Sequence, residues 1–142
     1  MKVVVDTNNF VSALINKGPS FRIIELWRHE HFIVVTSQSI LKEIRRVLGY
    51  SRIARRYNLT EKDVESLILL LERKAMVLEN LPEIKAVAED SDDDKFIACA
   101  VKAQADYIVS GDGHLLKLGK FKNISIVSAR DFLKLFEKFH IS

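Results

Sequence analysis

Apolar residues recur along this chain in two rhythms, short unbroken runs and stripes at helical spacing, and the two alternate from end to end. Val3, Val4 and Val5 form a β-branched run of the kind found in a strand buried on both faces, and it stops abruptly at Asp6-Thr7-Asn8-Asn9. The spacing predicts a short helix over 10–15, a break at Gly18-Pro19-Ser20, and a second helix capped by Ser20 to about His29. A second strand runs from His31 to Thr36. Ser37 or Ser39 can cap the next helix, whose stripe is Ile40, Leu41, Ile44, Val47 and Leu48 and which Gly49 ends. Thr60-Glu61-Lys62-Asp63 reads as a capping box, opening a helix with Val64, Leu67, Ile68, Leu70 and Leu71 inward to about Arg73. Ala75 to Leu78 predicts a third strand, and Glu79 to Asp90, which contains Pro82, a surface loop. Ser91-Asp92-Asp93-Asp94 caps a further helix carried by Phe96, Ile97, Ala98, Ala100 and Val101, with a fourth strand over Tyr107–Ser110 and a fifth over Ile124–Val127. Ser128-Ala129-Arg130-Asp131 is another capping box, before a last helix with Phe132, Leu133, Leu135 and Phe136 on its inner face.

Strands alternating with helices need crossover connections, so the expected fold is a three-layer α/β/α arrangement around a central, mostly parallel sheet of about five strands. The length of 142 residues suits a single domain over residues 1–142, and 48% apolar with 29% charged residues excludes a disordered chain. The single cysteine, Cys99, lies in an apolar helical stretch, which excludes an internal disulfide and fits a small buried hydrophobe. No apolar run approaches the roughly 18 residues of a membrane span, and the start of the chain has no leader-like pattern. The expectation is a cytoplasmic protein with no membrane partner.

Acids sit where this architecture would put a ligand. In an open parallel sheet the crevice lies beyond the carboxyl ends of the strands, the place of Asp6 and Asp112. Asp94, in the first turn of one helix, and Glu43, in the second turn of another, can converge on the same side. Carboxylates gathered in a cleft repel unless a cation or a raised pKa relieves them. Hard oxygen donors without a cysteine pair or a histidine cluster suit Mg²⁺ or Mn²⁺ better than zinc, and Mg²⁺ recruits substrate phosphates. Phosphodiester hydrolysis follows from that chemistry. Structural roles compete: Asp92, Asp93 and Asp94 also suit a helix dipole, Glu43 a solvated helix face, and His29, His31 and His114 polar turns. A net charge of +3 and a pI near 9.0 lean toward a polyanionic partner. Lys42, Arg45, Arg46, Arg52, Arg55 and Arg56, interleaved with Tyr50 and Tyr57, supply a candidate grip on a single strand.

Four stretches carry a resemblance. Val4-Val5-Asp6-Thr7-Asn8, Ser39-Ile40-Leu41-Lys42-Glu43-Ile44 through Leu48, Asp92-Asp93-Asp94-Lys95-Phe96-Ile97-Ala98 and Ile108-Val109-Ser110-Gly111-Asp112 resemble the motifs of the PIN-domain family, the ribonuclease fold of VapC-type toxins. The resemblance implies an Mg²⁺- or Mn²⁺-dependent endoribonuclease, the toxin of a toxin–antitoxin system. Asp6 and Asp94 would be metal ligands, Asp112 a direct or water-mediated ligand, and Glu43 a second-site ligand or water-orienting group. Asn8 and Ser110 would hydrogen-bond the carboxylates or a phosphate, and Arg45 and Arg46 would reach the substrate. It implies RNA, an antitoxin protein and a second copy of the chain as partners, the last across the helix bearing Phe21, Leu26 and Trp27. One departure stands out: Gly113-His114 follows Asp112 where relatives commonly place another acid two positions on, which weakens the case for a second metal. The alternative is a catalytically inactive module of the same fold that binds RNA or protein. A phosphoryl-transfer protein of receiver or haloacid-dehalogenase type is disfavoured by Asn8, which stands where a second aspartate is wanted.

Overall fold

Val3, Val4 and Val5 are almost wholly buried in β1 (Lys2–Val5), because this strand has a parallel neighbour on each side and helices flank the sheet. Val4 stands opposite Val35 of β2 (Ile33–Ser37) on one side and Ile108 of β4 (Tyr107–Val109) on the other. The computed structural model describes residues 1–49, 51–87 and 91–140. Within them the chain runs β1, α1 (Thr7–Ile15), α2 (Pro19–Arg28), β2, α3 (Gln38–Leu48), α4 (Ser51–Tyr57), α5 (Glu61–Lys74) and β3 (Met76–Leu78). A short 3-10 turn (Ser91–Asp93) then leads into α6 (Asp94–Ala103), β4, α7 (Gly113–Leu118), β5 (Lys120–Phe121), β6 (Ile124–Val127) and α8 (Ala129–His140).

The sheet has six strands in the order β3-β2-β1-β4-β6-β5, all parallel except the β5–β6 pair. The expected three-layer α/β fold is therefore present, with β5 as the extra strand. Two residues at an antiparallel edge leave no periodic signal, which is why the sequence predicts five strands. From β1 the chain proceeds outward to β2 and β3, then returns to the far side of β1 as β4. That reversal opens a crevice beyond the carboxyl ends of β1 and β4, between Asp6 and the Ser110–Asp112 loop.

Local chemistry accounts for most helix ends. Ser37 accepts a hydrogen bond from the Ile40 amide to cap α3, Thr60 and Asp63 form a complete capping box on α5, and the Ser128 hydroxyl accepts from the Asp131 amide at α8. At α2 the cap is Gly18 with Pro19 in the first turn, two residues earlier than the expected Ser20. Ser20 instead donates its hydroxyl to Asn9 Oδ1 at 2.7 Å and fastens α2 to α1. Phe132 and Phe136 of α8 are buried, and Phe132 meets the rings of Phe32 and Tyr107 edge-on at 5.4 and 5.6 Å. Trp27 is buried, while Phe21 and Leu26 are half-buried. No helix among the described residues is long and apolar enough to cross a membrane.

Candidate metal centre at the β1–β4 crevice

Asp6 ends β1 and caps α1, and its carboxylate is 3% exposed. Oδ1 accepts from the backbone amide and the side-chain amide of Asn9 at 2.9 and 2.7 Å. Oδ2 accepts from the Ser110 hydroxyl at 2.8 Å and the Gly111 amide at 3.1 Å. Asp6 thus ties the carboxyl end of β1 to the loop after β4. The polar neighbour is Asn9, not the Asn8 expected from sequence: in the first turn the third helical residue folds back over the cap, whereas Asn8 is exposed. Ser110 does bond a carboxylate as expected, and it also accepts from the Asp112 amide at 2.9 Å, so one hydroxyl links the two acids.

Asp112 caps α7, with Oδ1 accepting from the amides of His114 and Leu115 at 2.8 and 3.2 Å. Its carboxyl is held below its usual range. Partial burial pushes it up, but the Leu115 amide, a hydrogen bond with the Asp93 side chain, the His114 amide and the His114 imidazole together outweigh that. Asp93 is 9% exposed and stands immediately before α6, yet it makes no capping hydrogen bond, because its backbone is already helical there. Its carboxylate turns to Asp112 instead. Asp93, Asp112 and His114 each offer a donor atom, and these atoms lie within 4.8 Å of one another, the one such group among the described residues.

That donor set fits a divalent cation. Two acids whose oxygens lie this close need either a proton or a cation between them, and an ion supplies the charge with no loss of either carboxylate. Two hard oxygens and an imidazole nitrogen suit Mn²⁺ at least as well as Mg²⁺. Cys99 offers no competing thiolate, since complete burial pushes its pKa up to about 12.

The other expected acids, Asp94 and Glu43, each have partners of their own in the structure. Asp94 spends Oδ1 on the amides of Ala86 and Val87, at 3.1 and 2.7 Å, and so staples the loop before the 3-10 turn to the start of α6. Glu43 accepts from the Thr7 hydroxyl at 2.9 Å and pairs with the Lys95 ammonium at 2.8 Å. Arg45 points to α5, where Glu65 and Glu72 hold it at 3.2 and 3.4 Å. Residues two apart on a helix face different sides, so Arg45 cannot share the face of Glu43, whereas Arg46, three positions on, can. Lys42, Arg46, Arg55 and Arg56 are exposed. Tyr57 is exposed beneath the Arg56 guanidinium. Tyr50 lies outside the described residues, as do Ala88 to Asp90 of the expected loop and the side chains of Arg52 and Ser91.

Asp93 and His114 are the members of this candidate donor group that sequence reasoning ranked low. A first-turn aspartate and a loop histidine are common in structural roles, and no local spacing relates positions 93 and 114. The one available signal was the Gly113-His114 departure itself.

A PIN-domain profile matches residues 2–114. The chain is also similar to the uncharacterized protein MJ1680 of Methanocaldococcus jannaschii, at 33% identity over 98% of this chain and 94% of that protein.

Proposed function

This chain belongs to the PIN-domain family, and from that premise we propose that it is an endoribonuclease that hydrolyses RNA phosphodiesters with a divalent ion held by Asp93, Asp112 and His114. PIN domains are typically nucleases that use divalent metals, and the observation that carries this reading is the grouping of those three donors at the β1–β4 crevice. When bound, the ion supplies Lewis-acid polarisation of the scissile phosphate and offsets charge that develops on its oxygens. The protein's own contribution is to hold the donors still. Asp6 acts through Ser110 to fix the Asp112 loop, and the amides of His114 and Leu115 fix the Asp112 carboxylate in turn. Arg46, exposed on the helix of Glu43 and three positions from it, takes a backbone phosphate beside the cut.

Incubation of defined single-stranded RNAs with Mn²⁺, Mg²⁺ or a chelator tests the reading. Cleavage is expected with Mn²⁺ and Mg²⁺, none with chelator, and a loss of at least about 100-fold in Asp112→Asn. RNA that is bound but left intact with every divalent ion would instead identify an inactive module.

The finer assignment, toxin of a toxin–antitoxin pair, is supported by the likeness of the four motifs to VapC-type toxins. Its partners would be RNA, an antitoxin protein and a second copy of the chain. Growth arrest on expression of the wild type and not of Asp112→Asn is the expected result, and light scattering of the purified protein reads the dimer.

A further inference from the structure

The proposed metal donors leave one charged pair in the same crevice without a role. Lys95 follows Asp93 by two residues, and its ammonium contacts Glu43 Oε2 at 2.8 Å and the Asp92 carbonyl at 2.9 Å. Glu43 is in turn hydrogen-bonded to Thr7, the residue after Asp6. The two side chains are only 22% and 21% exposed, and the Lys95 ammonium lies 5.1 Å from the Phe96 ring centre. This is not a solvated surface pair of flexible arms. The lysine is anchored by a carboxylate, a carbonyl and an aromatic face, between the start of α1 and the start of α6.

By the motif resemblance Glu43 is a second-site ligand or water-orienting group, so a second divalent ion would draw on its carboxylate. Here an ammonium already neutralises it, and a divalent ion brought to Glu43 would meet that positive charge at contact distance. We propose that Lys95 is the second cation of the site. Its ammonium stands where a second metal would, limits the chain to one divalent ion, and faces a non-bridging oxygen of the scissile phosphate during cleavage. Glu43 is then a positioning residue that aims Lys95, and not a metal ligand. The inference rests on the nuclease reading for the substrate it names, but the ion count stands apart from that reading.

The test is the number of Mn²⁺ ions bound per chain, from native mass spectrometry and calorimetric titration. Wild type and Lys95→Arg are expected to bind one ion. Lys95→Met, which keeps the length and removes the charge, is expected to bind two, and Lys95→Met with Glu43→Gln to return to one. Two ions in the wild type, or one in Lys95→Met, would overturn the proposal. Single-turnover RNA cleavage reads the phosphate contact. Lys95→Met should lose at least about 100-fold at Mn²⁺ levels that fill only the first site, and recover in part at higher Mn²⁺ only while Glu43 is present. Cleavage by Lys95→Met at the wild-type rate would remove the phosphate contact. If the ion counts come out as expected and the wild type cuts no RNA, the nuclease reading fails and the cation replacement stands.

Discussion

Ser110 is completely buried and joins two acids through a single oxygen, donating to Asp6 and accepting from the Asp112 amide. Ser110→Ala leaves both groups short of a partner, at a cost of about 1–2 kcal/mol in stability, read from urea unfolding. Support behind a metal ligand is commonly worth about tenfold or more in affinity, so Mn²⁺ binding should weaken by at least that much in a calorimetric titration. Unchanged affinity would show that Asp6 does not act on the ion through this hydroxyl. Asp94 invites the opposite expectation. Asp94→Ala strips an acceptor from the amides of Ala86 and Val87, whose hydrogen exchange should quicken, while Mn²⁺ affinity moves by less than about threefold. A fall of about tenfold or more in Mn²⁺ affinity would mark Asp94 as the ligand its motif suggests.

Elements succeed or fail here by how their ends are made. The Thr60–Asp63 box on α5 was readable because both members lie within one turn. The Thr60 amide and hydroxyl hold the Asp63 carboxyl below its usual value. A carboxyl whose folded pKa is depressed stabilises the fold above its unfolded pKa of about 3.9, and that contribution disappears as pH falls through the folded value. Asp63→Asn does not titrate, so its urea midpoint should fall less than that of the wild type between about pH 6 and about pH 3. The short helices α4 and α7 escaped the sequence reading because their seven and six residues are too few to develop a stripe. On α3, Glu43 and Arg45 look like neighbours on paper but face different sides. Arg45 is therefore part of the α3–α5 contact, an exposed ion pair whose loss in Arg45→Ala should cost under about 1 kcal/mol.

At the scale of the molecule, a sheet order that reverses between β1 and β4 brings residues more than a hundred positions apart into hydrogen-bond distance, as in the Ser110–Asp6 contact. Exposed basic side chains on α3 and α4 border that fold's proposed substrate path. Each phosphate contact made to single-stranded RNA contributes about −0.7 to the slope of log K against log salt. Replacing Arg55 and Arg56 together by alanine should therefore flatten the slope by about 1.4 if both grip phosphate, as measured by fluorescence anisotropy across a salt series. No change in slope would assign these arginines to solvent alone.

Local rules were enough for the longer strand runs, the helices capped at Ser37, Thr60 and Ser128, the parallel sheet and the presence of acids at strand ends, because each depends on residues within a turn or a run of one another. The candidate site was half legible for the same reason. Asp6, Asp112 and Ser110 announce themselves at the ends of apolar runs. Which acid faces which cannot be read that way: Asp93 and Asp94 are adjacent and chemically identical, and only the packing of α6 against β1 and β2 and the path of residues 81–87 send one to Asp112 and the other to backbone amides. The pairing of Glu43 with Lys95 has the same origin, two charges 52 positions apart whose meeting depends on how α3 and α6 pack together.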